Sequence, residues 1–145
     1  MILLDTSVLV YAVGEEHPLR GPCRELVAAI GDGRVAATTT VEVLQEFAHV
    51  RVRRRGRVDA SELTERFAAL LAPLVSPDAD DLTRGLREFR EHAALGAFDA
   101  VLAAVVLRRE YLTGLASADR AFAGIPLLEH LDPAAPDFAA RVGIG

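Results

Sequence analysis

The chain has 145 residues, a formal net charge of −5 and a hydrophobic content of 51%. This length is typical of one domain with one core, and the hydrophobic content excludes a disordered chain. The acidic balance argues against a protein that attracts nucleic acid over its whole surface, although it allows a local basic patch. No apolar run reaches the roughly 18 residues of a membrane span, and the apolar N-terminus lacks the basic region of a signal peptide. With a single cysteine, Cys23, no internal disulfide is expected, so we predict a cytoplasmic protein without a membrane partner.

Short apolar runs alternate with amphipathic stretches along the whole chain. Strands are predicted at residues 1–4, 35–38, 74–76, 111–116 and 127–130. Helices are predicted at residues 9–13, 23–30, 41–53, 59–72, 77–92, 96–109 and 121–123. On the helix at 77–92, we expect Leu82, Leu86 and Phe89 to face the core. This alternation predicts an α/β sandwich around a parallel sheet, with residues 1–145 forming a single domain that ends in a peripheral tail of about 12 residues.

Four acidic residues occupy positions where carboxylates are uncommon. Asp5 directly follows the first strand, and Asp119 follows the strand at 111–116. Asp99 lies near the start of the most hydrophobic helix, and Glu46 lies among apolar residues with Glu42 one turn before it. Each acid alone is equally well explained as a helix cap, a turn residue or a solvated side chain. Strand ends and the helix starts that follow them meet at one edge of a parallel sheet, so we expect these acids to converge.

Converging carboxylates repel one another unless a cation neutralises them. An all-oxygen ligand set selects a hard ion, Mg²⁺ or Mn²⁺. Such an ion can activate a water molecule as a nucleophile and neutralise charge on a scissile phosphate, which is the usual arrangement for phosphodiester hydrolysis.

Four motifs extend the interpretation: LLDTSVLVY at the N-terminus, TTVEVLQEF, LGAFDAVLAA and LASADRAF near the C-terminus. In this order they resemble the PIN domain, and in particular the VapC-type toxin ribonucleases of bacterial toxin–antitoxin pairs. The resemblance covers residues 1–131. It implies a three-layer α/β/α sandwich with a mostly parallel sheet of about 4–5 strands. It also implies an endoribonuclease that uses Mg²⁺, or Mn²⁺ as a substitute, to hydrolyse RNA with a metal-activated water. The implied partners are RNA, a VapB-type antitoxin and a second copy of the chain in a homodimer.

The same resemblance assigns the site residues. The acidic quartet of the family, which holds the metal and is catalytic, falls on Asp5, Glu46, Asp99 and Asp119. Ser7 takes a place where the family commonly has Asn, and Ser117 takes the hydroxyl position before the fourth acid. The choice between Glu42 and Glu46 as the second acid stays open, with Glu46 favoured because VLQEF matches the family pattern and Glu42 as a secondary group.

A basic run, RVRRRGR, follows the second motif. Arginine suits bidentate contacts to phosphate, so the run could bind RNA or the acids of an antitoxin. A solvated helix end, where cations favour the helix dipole, explains it equally well. The residues concerned are Arg51, Arg53, Arg54, Arg55 and Arg57.

Two other functions fit the same residues. In a non-catalytic binding module of PIN shape, the acids would be caps or ligands of a structural ion. In a carboxylate–metal phosphatase, the substrate would be a small phosphoester. The four histidines show no His-x-x-His or Cys-paired spacing, so the sequence predicts no zinc site.

Overall fold

The computed structural model describes residues 1–145, and its centre is a parallel sheet of four strands in the order β2-β1-β3-β4. Ile2 pairs with both Ala37 and Gly114 in register, so β1 is flanked on both sides. All three residues of β1 are buried, as expected for a central strand covered on both faces. The strands are β1 (Ile2–Leu4), β2 (Ala37–Thr38), β3 (Gly114–Ala116) and β4 (His130–Leu131).

Helices lie between the strands, as the alternating sequence pattern predicts, and the fold is the expected α/β/α sandwich. None of the helices is long and apolar enough to span a bilayer. The C-terminal residues Phe138 and Val142 are buried in the main hydrophobic core. The helices are α1 (Thr6–Val13), α2 (Arg20–Gly31), α3 (Val41–Leu70), α4 (Ala79–Glu91), α5 (Ala97–Leu107) and α6 (Phe138–Arg141), with a 3-10 turn at Arg120–Gly124.

Helix α3 is a hairpin of two arms, as the sequence predicts, and the chain turns at Gly56. The backbone of Gly56 has φ +82° and ψ 174°, a conformation that is essentially restricted to glycine. Phe47 and Phe67 pack edge to face with ring centroids 5.1 Å apart. In a continuous helix, 20 residues would separate them by about 30 Å. The arginine run therefore surrounds the tip of a helical arm.

Helix α4 packs on α5 through a face that the sequence analysis did not predict. Leu82, Leu86 and Phe89 are 50%, 43% and 44% exposed, so the expectation that they face the core is wrong. The buried residues of α4 are Asp81, Gly85 and Glu88.

Two physical features explain this orientation of α4. A Cβ added to Gly85 would lie 2.7 Å from Val101 Cα, so the two helices touch backbone to backbone at this glycine. One turn earlier, the Asp81 carboxylate accepts hydrogen bonds of 2.6 Å from Arg108 Nη1 and 2.8 Å from Arg109 Nη1 and Nη2. The charge on Asp81 is thus compensated inside the interface, which offsets part of the cost of burying it.

Two predicted strands differ from the structure. The segment at 74–76 makes only an isolated bridge, in which Val75 pairs with Thr40. The strand predicted at 127–130 is instead His130–Leu131. Leu127 has φ +67° and is 94% exposed, so it belongs to a turn.

Candidate metal-dependent active site

Asp5 lies at the carboxyl end of β1, at the N-cap position of α1. Its backbone N–H donates to Ala116 O at 2.9 Å, which ties it to the end of β3. Its side chain makes no capping hydrogen bond to the helix, although the residue is only 6% exposed. The carboxylate is therefore available for other contacts, and capping does not explain its presence.

Two serine hydroxyls hold one oxygen of this carboxylate. Ser117 Oγ donates to Asp5 Oδ2 at 2.7 Å, and Ser7 Oγ donates to the same oxygen at 2.9 Å. Backbone N–H groups orient both hydroxyls, because Asp119 N donates to Ser117 Oγ and Ala118 N donates to Ser7 Oγ, each at 3.0 Å. Asp5 Oδ1 accepts no side-chain hydrogen bond, and the Thr6 backbone N–H is close enough to the carboxylate to lower its pKa.

The structure brings Glu46, and not Glu42, to this network. Thr6 Oγ1 donates to Glu46 Oε2 at 2.6 Å, which places the Glu46 carboxylate beside the residue that follows Asp5. Glu42 is exposed and lines a different groove, shared with Pro77 and Phe98. The sequence analysis did not place Thr6 in the site. The position of Thr6 next to Asp5 in the chain was the available signal for this contact.

Asp99 lies in the first turn of α5 and is half-buried. Burial raises the pKa of Asp99 to about 7, and the negative charges of Asp5, Asp119 and Glu46 add to the increase. Asp99 is therefore close enough to the other three predicted acids for their negative charges to act on it. Asp119 is exposed at the end of β3, where its Oδ1 accepts from Ala121 N at 2.9 Å.

No arginine neutralises these four carboxylates, because none of them takes part in an ion pair. Burial also raises the pKa of Asp5, against the opposing effect of its two serine hydrogen bonds. Carboxylates that repel one another without a compensating cation form a donor set that fits a divalent metal ion. The chemistry of the donors is thus consistent with the ion that the resemblance implies.

Arg51, the first residue of the basic run, is held by hydrogen bonds within the chain. Arg51 Nη1 donates to Val13 O at 3.1 Å, and Arg51 Nη2 donates to Asp59 Oδ2 at 3.3 Å. These bonds join the two arms of α3 to the end of α1, which gives Arg51 a structural role. The exposed members of the run are Arg53, Arg54, Arg55 and Arg57.

Comparison with known proteins agrees with this fold. The PIN domain family model matches residues 2–127. Ribonuclease VapC7 of Mycobacterium tuberculosis is 51% identical over 144 residues, which cover 99% of each chain. Ribonuclease VapC23 of the same species is 33% identical over 111 residues, which cover 75% of this chain and 86% of that protein.

A solved structure shows the same fold. The crystal structure of Mycobacterium tuberculosis VapC20, described as a Sarcin-Ricin loop cleaving toxin, superposes with a TM-score of 0.68 at 19% identity. The match covers 86% of this chain and 96% of VapC20.

The chain belongs to the PIN domain family. Within that family, it is a relative of the VapC ribonucleases over its whole length.

Proposed function

We propose that this chain is the toxin of a toxin–antitoxin pair, a VapC-type endoribonuclease whose activity depends on Mg²⁺, with Mn²⁺ as a substitute. The observation that carries the proposal is that Asp5, Glu46 and Asp119 lie near Asp99 without a cationic side chain. Burial, and then the negative charges of these three acids, raise the pKa of Asp99 to about 7. The full-length similarity to Ribonuclease VapC7 supports RNA as the substrate.

In this proposal, Asp5 and Asp99 are the direct ligands of the metal ion. Asp5 offers Oδ1, because Ser7 and Ser117 occupy Oδ2. Glu46 offers Oε1, because Thr6 occupies Oε2. Asp119, at the exposed edge of the site, completes the quartet. When bound, the ion supplies the positive charge that lowers the pKa of a water nucleophile and offsets charge on the scissile phosphate.

Cleavage of total cellular RNA by the purified chain tests this function. We expect cuts at discrete positions with Mg²⁺ or Mn²⁺, none with EDTA, and none with the Asp5→Asn variant. Glu42→Gln is the matched control, because Glu42 has the same charge one helical turn away from Glu46 but lies outside the network. Cleavage by the Asp5→Asn variant would contradict the proposed site. Metal-dependent hydrolysis of a small phosphoester without RNA cleavage would favour the phosphatase.

We further propose that the arginines at the tip of the α3 hairpin contact phosphates of the RNA or acidic side chains of a VapB-type antitoxin. Four arginines are exposed there, and none forms an ion pair within the chain. Reversing the charge of Arg54 and Arg55 should weaken binding and reduce its dependence on salt. The conservative control replaces both with lysine. Unchanged RNA and antitoxin binding after charge reversal would contradict this role.

A homodimer is the proposed assembly, and the outer face of α4 is its proposed surface. This face carries Leu82, Leu86 and Phe89, and Phe98 beside it is 41% exposed. Exposed apolar patches of this kind mark association surfaces, and a helix packed on its own copy forms a closed two-fold contact.

Analytical ultracentrifugation tests the dimer. We expect twice the chain mass of 15.6 kDa for the wild type and a single chain mass for Leu86→Lys. Arg87→Gln, on the exposed side of the same helix, should remain dimeric. A monomeric wild type, or a dimeric Leu86→Lys variant, would contradict the assignment.

We also propose that the active protein is in the cytoplasm, where RNA is available. The proposal treats the chain as one domain, because 32 buried residues form one core cluster.

A further inference from the structure

The last turn of α4 carries three side chains of types that bind metals, and none of them belongs to the acidic quartet. They are Glu88, Glu91 and His92, with the spacing i, i+3 and i+4 that places side chains on one face of a helix. One donor atom from each lies within 4.8 Å of the other two. The three differ in exposure: Glu88 is buried, His92 is half-buried and Glu91 is exposed.

The buried member of this group has an unsatisfied oxygen. The Glu88 side chain is 5% exposed, and its Oε1 accepts from Arg84 Nε at 3.0 Å. Glu88 Oε2 and His92 Nε2 are both buried, and neither has a hydrogen-bond partner. These two atoms face each other at 3.2 Å. Buried polar atoms without partners are rare in folded proteins and indicate an absent proton or ligand.

We propose that Glu88, Glu91 and His92 bind one Zn²⁺ ion, contrary to the expectation that the spacing of the histidines alone suggested. Two ligands at roughly 2.0–2.1 Å from a tetrahedral ion stand about 3.3 Å apart, which is close to the separation of Glu88 Oε2 and His92 Nε2. One imidazole nitrogen with two carboxylates suits zinc, whereas the all-oxygen quartet suits Mg²⁺. With three protein ligands, a four-coordinate zinc ion takes a water molecule as its fourth ligand.

The surroundings hold these ligands in place. Arg84 fixes the Glu88 carboxylate through Oε1 and leaves Oε2 directed at His92, as groups behind metal ligands commonly do. The His92 backbone is held because its N–H donates to Glu88 O at 2.9 Å and its carbonyl accepts from Leu95 N at 3.0 Å. The group also lies at the C-terminus of α4, where the helix dipole favours a cation.

The charged neighbours leave the site accessible to a cation. Arg84 is the only arginine of α4 that pairs with Glu88, and neither Arg87 nor Arg90 forms an ion pair with any of the three ligands. The alternative is a protonated His92 that forms an ion pair with Glu88. That pair would need no metal, so metal binding separates the two explanations.

Calorimetric titration with Zn²⁺ provides the test. The protein used is the full chain carrying Asp5→Asn and Asp99→Asn, so that the acidic quartet does not contribute. We expect binding of one equivalent of Zn²⁺, with an affinity at least about tenfold lower after Glu91→Gln and no measurable binding after His92→Gln. In the chain carrying Asp5→Asn and Asp99→Asn, Zn²⁺ should raise the thermal midpoint, and Glu91→Gln should reduce this increase.

Two controls keep the outcomes distinct. Arg87 lies on the same helix but supplies no ligand atom. The Arg87→Gln variant should therefore bind Zn²⁺ as the parent chain with Asp5→Asn and Asp99→Asn does. Glu91→Gln in the otherwise wild-type chain should cleave RNA with Mg²⁺ as the wild type does, because Glu91 is outside the catalytic quartet. If His92→Gln does not fold, Glu91→Gln decides the result, since its side chain is exposed. Absence of a bound equivalent, or binding that neither variant reduces, would overturn the zinc site.

Discussion

Thr6 and Glu46 are 40 residues apart in the sequence and are joined by a hydrogen bond of 2.6 Å from Thr6 Oγ1 to Glu46 Oε2. Thr6 is 6% exposed, whereas Glu46 is solvent-exposed on α3. A fixed residue of α1 thus orients a side chain that would otherwise be free. This contact makes Thr6 a positioning residue for the proposed metal site.

Replacement of Thr6 by valine should therefore weaken the site without disturbing the fold. Valine keeps the shape of the side chain but cannot hold Glu46, and loss of a group that orients a metal ligand typically costs about 10–100-fold in affinity or activity. We expect Mn²⁺ affinity and RNA cleavage to fall together by this amount. Thr6→Ser keeps the hydroxyl and should restore both. Wild-type metal affinity in Thr6→Val would show that the hydrogen bond has no such role.

The raised pKa of Asp99 predicts how the stability of the metal-free protein depends on pH. The folded chain has a pKa of about 7 at Asp99, against an ordinary value of 3.8. Between these values the folded state binds a proton that the unfolded state does not, so the free energy of unfolding should rise as the pH falls from about 8 to about 5. Divalent metal should oppose this proton, since both need the same carboxylate.

Urea denaturation in EDTA measures this effect, and Asp99→Asn is the matched variant. The difference in unfolding free energy between wild type and variant isolates Asp99 from the histidines, which titrate in both proteins. We expect the variant to be the more stable of the two at about pH 8 and the difference to shrink toward about pH 5. A difference in unfolding free energy that does not change with pH would mean that the pKa of Asp99 is not raised.

Asp81 should show the opposite dependence. Burial alone would raise the pKa of Asp81, but hydrogen bonds from Arg109, the Asp78 backbone and Arg108 outweigh it and lower the pKa to about 2. The resulting stabilisation is present above about pH 4 and is lost as the pH falls toward 2.

Asp81→Asn should destabilise the protein by about 3 kcal/mol at neutral pH, the lower end of the range for one partner of a buried pair, because both arginines keep some contact with solvent. Asp80→Asn is the control, since Asp80 is 82% exposed in its side chain and contacts Arg108 only at 3.4 Å. Equal stability of the two variants would contradict the role given to Asp81.

Gly56 should tolerate no other residue without loss of stability. A Cβ there would meet no atom within 4 Å, so the cost of Gly56→Ala comes from its backbone angles alone. We expect a loss of about 1–3 kcal/mol in chemical denaturation. Gly21→Ala is the comparison, because Gly21 also has open space but lies in a helix with ordinary angles, where alanine is neutral or slightly favourable. If both variants lose the same stability, the strain at Gly56 is not the cause.

The sequence was sufficient to predict a mostly parallel sheet with helices between its strands. Asp5 and Asp119 follow buried strands, and parallel strand ends meet at one edge, so their proximity follows from chain order. The choice between Glu46 and Glu42 could not be made this way. It depends on the Thr6 hydroxyl, a contact between side chains on different helices that no local pattern encodes.

The orientation of α4 was mispredicted for a related reason. Its apolar stripe of Leu82, Leu86 and Phe89 gives a clear amphipathic pattern, and such stripes usually face the core. Here Gly85 allows a close approach to Val101, and Arg108 and Arg109 compensate Asp81. Those partners come from other parts of the chain, so the helix period alone could not identify the buried face.

Cleavage of cellular RNA by the wild type and by Asp99→Asn, each with Mg²⁺ and with EDTA, tests the central claim most directly. Folding of both proteins is checked first by circular dichroism, because Asp99→Asn removes a repulsive charge and should not destabilise the chain. The proposed function predicts discrete cuts only for the wild type with Mg²⁺. Equal cleavage by both proteins, or cleavage that persists in EDTA, would contradict a metal-dependent nuclease centred on the acidic quartet.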